Sequence, residues 1–171
     1  MIGALNRRRR CRETAARLCA AVSARARDPI FYLDYGVADT IDGRFDVLVL
    51  HAWLVLDWLR EAGDEALAQS FVDALFVRFD EALREQGAGD MGMSRRIRKM
   101  ASAFYGRLRA YSESRSDEAL GTAILRNVYR GSASRVEQAA LLAKYVAGAR
   151  KEIMPSRLDR GELEFGPTLA P

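Results

Sequence analysis

His51 is the single histidine of the 171-residue chain, and so the obvious side chain to act as a base near neutral pH. A nucleophilic site would need a serine, threonine or cysteine held beside such a base. The neighbours of His51 point elsewhere. Val47, His51, Leu54 and Trp58 repeat at 4-3-4 spacing, an apolar helical stripe in which a histidine is first a hydrogen-bonded core residue. A haem or metal ligand is the weaker reading, because one histidine brings no partner ligands. Cys11 and Cys19 lie eight residues apart in one expected helix. That separation is about 12 Å along the axis, so they cannot bridge each other. No cysteine–histidine set has metal-ligand spacing, and scarce cysteine suits a reducing compartment. Asp39 and Asp42 form a carboxylate pair in a Gly-containing loop and could in principle do acid–base work. The loop lacks the pattern of a phosphate cradle, and the pair is expected instead to cap the following helix and order the loop. The expectation is therefore a non-enzymatic chain with no cofactor and no metal.

Charge is the stronger signal. Residues 1–28 carry eight arginines against two acids, residues 29–93 four basic against thirteen acidic side chains, and residues 94–115 seven basic against Glu113. Blocks of this kind give a molecule distinct acidic and basic surfaces, which steer partners more than they determine fold. Arg95, Arg98, Lys99 and Arg109, with Tyr105 interleaved, share a face opposite an expected buried stripe. Such a face suits an acidic protein, RNA phosphates or anionic headgroups, or else a solvated surface paired to the acidic helix before it. Nothing in it reads as specific DNA recognition.

The elements that must position these groups are helices. Alanine and leucine dominate, and only four prolines occur. Six helical segments follow, over about 5–27, 45–61, 64–86, 95–115, 117–131 and 134–153. Asp42, Ser94 and the Ser134–Glu137 capping box are the expected starts of the second, fourth and sixth. Ile97, Ala101, Phe104, Leu108 and Tyr111 should form the buried stripe of the fourth helix. The fold class is all-α: a bundle of about six helices with one long ordered loop over about 28–44. An Arg-rich helix (1–28) precedes the helical domain (29–153), and an extended or flexible tail (154–171) follows it. The opening residues do not read as a secretory signal. The longest apolar run, 47–59, is too short to span a membrane, which takes about 20 residues.

The stretch from Tyr35 to Asp46, Tyr-Gly-Val-Ala-Asp-Thr-Ile-Asp-Gly-Arg-Phe-Asp, resembles the opening signature of the ubiquinol–cytochrome c chaperone family. In the same order come Leu50-His51, the segment Leu83 to Asp90, Arg96 to Met100, Phe104 to Arg107, and Leu125 to Tyr129. Gln86, Ala88 and Ser94 depart from the commoner Met, Val and Pro. The resemblance covers about residues 30–130. It implies a non-enzymatic chaperone that binds newly made cytochrome b and assists assembly of the ubiquinol–cytochrome c reductase (bc1) complex of the respiratory chain. It also implies a bacterial member working in the cytoplasm, peripheral at the inner face of the inner membrane. The partners it suggests are cytochrome b as client, the ribosome, the membrane surface and a small partner protein.

Within the matching segments, Arg44, Arg84, Arg107 and Arg126 could pair with Asp39, Asp42, Glu85 and Asp90, first as an internal network and second as a partner surface. With the basic face of the fourth helix, these are the candidate partner-binding residues. Phe31, Tyr32, Tyr35, Trp53 and Trp58 are expected in the core first, and as walls of a client groove second. A basic RNA- or ribosome-binding module and a haem-related protein using His51 are the alternatives.

Overall fold

A computed structural model describes residues 2–85, 90–153, 155–158 and 160–168. The described residues form helices and connections, with no strand among them. Six helices carry the fold: α1 (Ile2–Ala26), α3 (Ile41–Glu61), α4 (Glu65–Glu85), α5 (Asp90–Ser112), α6 (Asp117–Asn127) and α7 (Val136–Glu152). Two single turns, α2 (Ile30–Leu33) and α8 (Pro155–Leu158), accompany them.

Each helix is placed by its apolar stripe. Ala15, Leu18, Cys19, Val22 and Ala26 bury one side of α1 against α3 and α4. In α4, Leu67, Phe71, Leu75, Phe79 and Leu83 are buried at every fourth position. α3 is apolar on nearly every face and becomes the central helix, touching α1, α4, α5 and α7. α6 and α7 pack face to face, close enough that a Cβ on Gly121 would lie 3.8 Å from that of Ala143.

Several helix starts differ from those the spacing suggests. Thr40, not Asp42, caps α3: its hydroxyl accepts from the Gly43 amide at 3.1 Å, and Asp42 falls in the first turn. Both residue types suit an N-cap, and the extended backbone at Thr40 decides between them. Gly43 must be glycine, because a Cβ there would stand 1.9 Å from the Ala38 carbonyl oxygen. α5 begins at Asp90 and runs through Ser94, so Ser94 caps nothing. The capping box at Ser134 is replaced by a 3₁₀ turn (Ala133–Arg135), and the Ser134 hydroxyl bonds that of Ser132 instead. α6 stops at Asn127, short of Gly131; the chain then turns through Arg130 (φ 58°) and Gly131 (φ 74°). The expected 28–44 loop contains α2, whose first amide is held by the Asp28 carboxylate at 3.1 Å.

The last described stretch packs back on α1 and α3. Phe165 is buried with its ring edge-on to His51 at 4.9 Å, and the Gly166 carbonyl accepts from Arg25 at 3.0 Å.

Candidate functional site

His51 belongs to the core. Val47 O can only accept, so Nδ1, at 2.8 Å, carries the proton; Nε2 then accepts from the Tyr145 hydroxyl at 2.8 Å. Tyr145 in turn accepts from Arg25 Nε at 3.0 Å, and Phe31 and Phe165 close the remaining sides. Burial pushes the imidazole down to about 4, against a smaller opposing effect from the Val47 bond. With both nitrogens engaged inside the protein, His51 offers no lone pair to a haem or a metal. Cys19 is equally withdrawn: burial lifts its thiol to about 12, far from a reactive thiolate.

Six of the sequence-predicted surface residues line two grooves on either side of α5: Tyr105 and Arg109 the first, Asp42, Lys99, Arg107 and Arg126 the second. The first lies between α3, α4 and α5 and encloses about 710 Å³. Trp53, Leu56, Ala68, Leu108 and the half-exposed Tyr105 give it an apolar floor. Tyr105 is held by stacking on Phe76, with ring centroids 6.2 Å apart, and Trp53 by donating to Ser112 at 3.0 Å. The rim is charged but balanced. Arg109 pairs with Glu113 at 2.8 Å, Arg60 pairs with Asp57, and Glu65 stands alongside.

The second groove, of about 480 Å³, lies between the start of α3, the middle of α5 and the end of α6. Ile41, Phe45, Leu83, Met100 and Ala103 line it with Arg96, Lys99, Arg107, Arg126 and Arg130; among the described residues, the one acidic side chain on its wall is Asp42. Beneath it Asp46 is completely buried. Its Oδ1 accepts from Arg107 Nε at 2.7 Å, and its Oδ2 lies 2.8 Å from Arg130 Nη2. Burial lifts the Asp46 carboxyl above its ordinary range, with the two guanidinium groups pulling the other way. Arg107 also lies over the Phe45 ring at 5.3 Å.

The expected arginine–carboxylate network forms only in part. Arg44 and Asp39 make the anticipated pair, two hydrogen bonds of 2.6 and 3.2 Å on the exposed surface. Arg84 pairs with Asp80, its neighbour one turn back in α4, and Arg107 turns inward to Asp46. Asp42 and Arg126 share the second groove without an ion pair between them. Glu85 is exposed at the end of α4, and the side chain of Asp90 lies outside the described residues. The expected basic face splits as well. Lys99 lines the second groove, Tyr105 and Arg109 line the first, and Arg95 and Arg98 are exposed outside both. Of the five candidate wall aromatics, Phe31 and Tyr35 are core, Tyr32 and Trp58 are half-buried away from both grooves, and Trp53 alone reaches one.

Sequence reasoning missed Asp46, Asp57, Arg96, Arg130 and Arg150 as site-building residues. Asp57 is buried between Arg60 and Arg150, the latter 2.6 Å away. The available signal was the pair of acids at 46 and 57, eleven residues or three turns apart on one face of an otherwise apolar helix.

The model of the ubiquinol-cytochrome C chaperone family matches residues 33–155. The chain belongs to that family. A crystal structure of the Cbp3 homolog from Brucella abortus is similar over 98% of both chains, with 32% sequence identity and a TM-score of 0.81. A search of curated proteins finds no match. Both grooves, from Ile41 to Arg130, fall inside the span shared with the chaperone family. No helix among the described residues is long and apolar enough to cross a membrane.

Proposed function

We propose that this chain is a non-enzymatic assembly chaperone of the ubiquinol–cytochrome c reductase complex, and that it holds newly made cytochrome b by an apolar segment in the groove between α3, α4 and α5. Membership of the family supports the first half. The observation that carries the second is the groove's make-up: an apolar floor of Trp53, Leu56, Ala68 and Leu108, the exposed Tyr105, and a rim whose cations have carboxylate partners. An unassembled membrane protein presents apolar helices, and a helix laid into an apolar groove buries that surface without stranding a charge. Paired rim charges favour no sign of client and keep the open groove wetted. The protein would then work peripherally at the inner face of the inner membrane.

The test is co-purification of cytochrome b with tagged protein from cells synthesising the complex. Tyr105→Ser combined with Leu108→Ser removes apolar surface from the floor and should lower recovery at least fivefold at unchanged helicity. Undiminished recovery with the folded variant would place the client elsewhere.

A further inference from the structure

We propose that the groove between α3, α5 and α6 is a docking site for an acidic amphipathic helix of a second protein, separate from the groove assigned to the client. Its cations exceed what the described residues neutralise. Asp46 takes up Arg107 and Arg130, but among the described residues Arg96, Lys99 and Arg126 form no ion pair. In the other groove, by contrast, Arg60 and Arg109 both have carboxylate partners. Arg96, Lys99, Ala103 and Arg107 follow one another at 3-4-4 spacing along one face of α5, while Arg126 and Arg130 face them from the end of α6 and the turn after it. The cations thus form two banks.

The site is also held in shape. Arg130 keeps a left-handed backbone, which a residue other than glycine adopts at a cost, and its guanidinium is anchored both to Asp46 and to the Asn127 carbonyl. Ion-paired, half-anchored guanidinium groups lose less freedom on meeting a carboxylate than free ones do.

The floor decides what kind of anion fits. Ile41 is 64% exposed at one side, and Met100, Leu83 and Phe45 lie between the banks. Aliphatic side chains and an adaptable methionine suit the leucine or isoleucine stripe of a helix, with carboxylates on its flanks reaching the arginines. RNA would call for exposed aromatic faces on which bases stack. Phe45, the aromatic ring here, is half-buried and already covered by Arg107. A bilayer surface is flat and does not enter a recess of about 480 Å³.

The test uses the full chain and a labelled 20-residue peptide with leucines at helical i, i+3, i+4 and i+7 positions and glutamates flanking them, read by fluorescence anisotropy. The expected result is saturable one-to-one binding. Arg96→Ser, Lys99→Ser and Arg126→Ser together should weaken it at least tenfold, as should a peptide with glutamine in place of glutamate. These three side chains hold no ion pair among the described residues, so melting should not move; Lys99→Glu alone, on an exposed turn of α5, provides a milder variant. The Tyr105→Ser/Leu108→Ser protein should bind the peptide normally, so failure of the client groove and failure of this one are read separately. Equal binding of the glutamine peptide, or no loss in the triple variant, would overturn the proposal. So would displacement of the peptide by equimolar single-stranded RNA or by anionic vesicles, which would assign the groove to phosphates. Self-association abolished by the same triple variant would assign it to a second copy and overturn it equally.

Discussion

The two ends of α3 use one device in opposite surroundings. At each end a buried aspartate is clamped by two arginines: Asp46 by Arg107 and Arg130, Asp57 by Arg60 and Arg150. Around Asp57 further acids, Glu61, Glu65 and Glu113, balance the local charge, and Arg150 reaches Glu61 as well. Around Asp46 the additional charges among the described residues are the cations Arg96, Lys99 and Arg126, against Asp42 alone. The arginines differ too. Of the pair on Asp46, the Arg107 side chain is only 16% exposed and that of Arg130 52%, whereas those of Arg60 and Arg150 are 64% and 46% exposed. One helix thereby builds, near its C-terminus, an apolar groove whose cations are all paired and, near its N-terminus, a cationic one. A buried charge pair does not by itself say what a surface binds; the groups left over around it do.

The largest expected effect sharpens this contrast. Asp46→Ala leaves Arg107 charged, largely buried and unpaired, and should cost about 4 kcal/mol in urea unfolding. Asp57→Ala releases two arginines that can turn to water, and should cost about 1 kcal/mol beyond the shared loss of packing. Equal losses would show the two clamps to be energetically alike, and the comparison would fail.

The next effect acts midway between the clamps. Because folding lowers the His51 imidazole to about 4, unfolding takes up a proton once the pH drops below the ordinary value of 6.5. The stability this group contributes is fully present above pH 6.5 and is lost as the pH falls towards 4. Between pH 6.5 and 5 the loss should be about 2 kcal/mol, and His51→Gln should flatten that slope in chemical denaturation. Asp46, whose carboxyl is raised, works in the reverse sense, its contribution being present in acid and lost as the pH rises. If His51→Gln leaves the slope intact, another group sets the acid response.

The smallest effect concerns the pair most visible in the sequence. Asp39 and Arg44 are both more than half exposed, and their bridge is open to solvent and salt. Asp39→Asn should leave the melting temperature within experimental scatter. A clear drop would make the 34–40 loop a structural part of the cationic groove.

What was legible in the sequence was what depends on near neighbours along the chain. The α1 stripe from Ala15 to Ala26 and the structural role of His51 follow from periodicity alone. The Asp39–Arg44 bridge joins two residues of the matching segments, although the sequence left open which of four carboxylates Arg44 would meet. Helix starts were less legible, because Thr40 and Asp42 are both competent caps and because Gly92 does not interrupt α5. The groove clamps were illegible for a different reason. Arg107 and Asp46 lie 61 residues apart, and Tyr145 and His51 lie 94 apart. No spacing rule reports which of several arginines a buried carboxylate will meet; that is decided by how α5 and α7 dock on α3.

The Arg25–Tyr145–His51–Phe165 centre also sets an order of events. It joins α1, α3, α7 and the last described stretch of chain, so its aromatic contacts close only once residue 165 is available. Contacts so distant along the chain carry the full entropy of closing the loop between them, and form late in folding. During its own synthesis the protein therefore waits with His51 uncovered on one side until residue 165 has emerged.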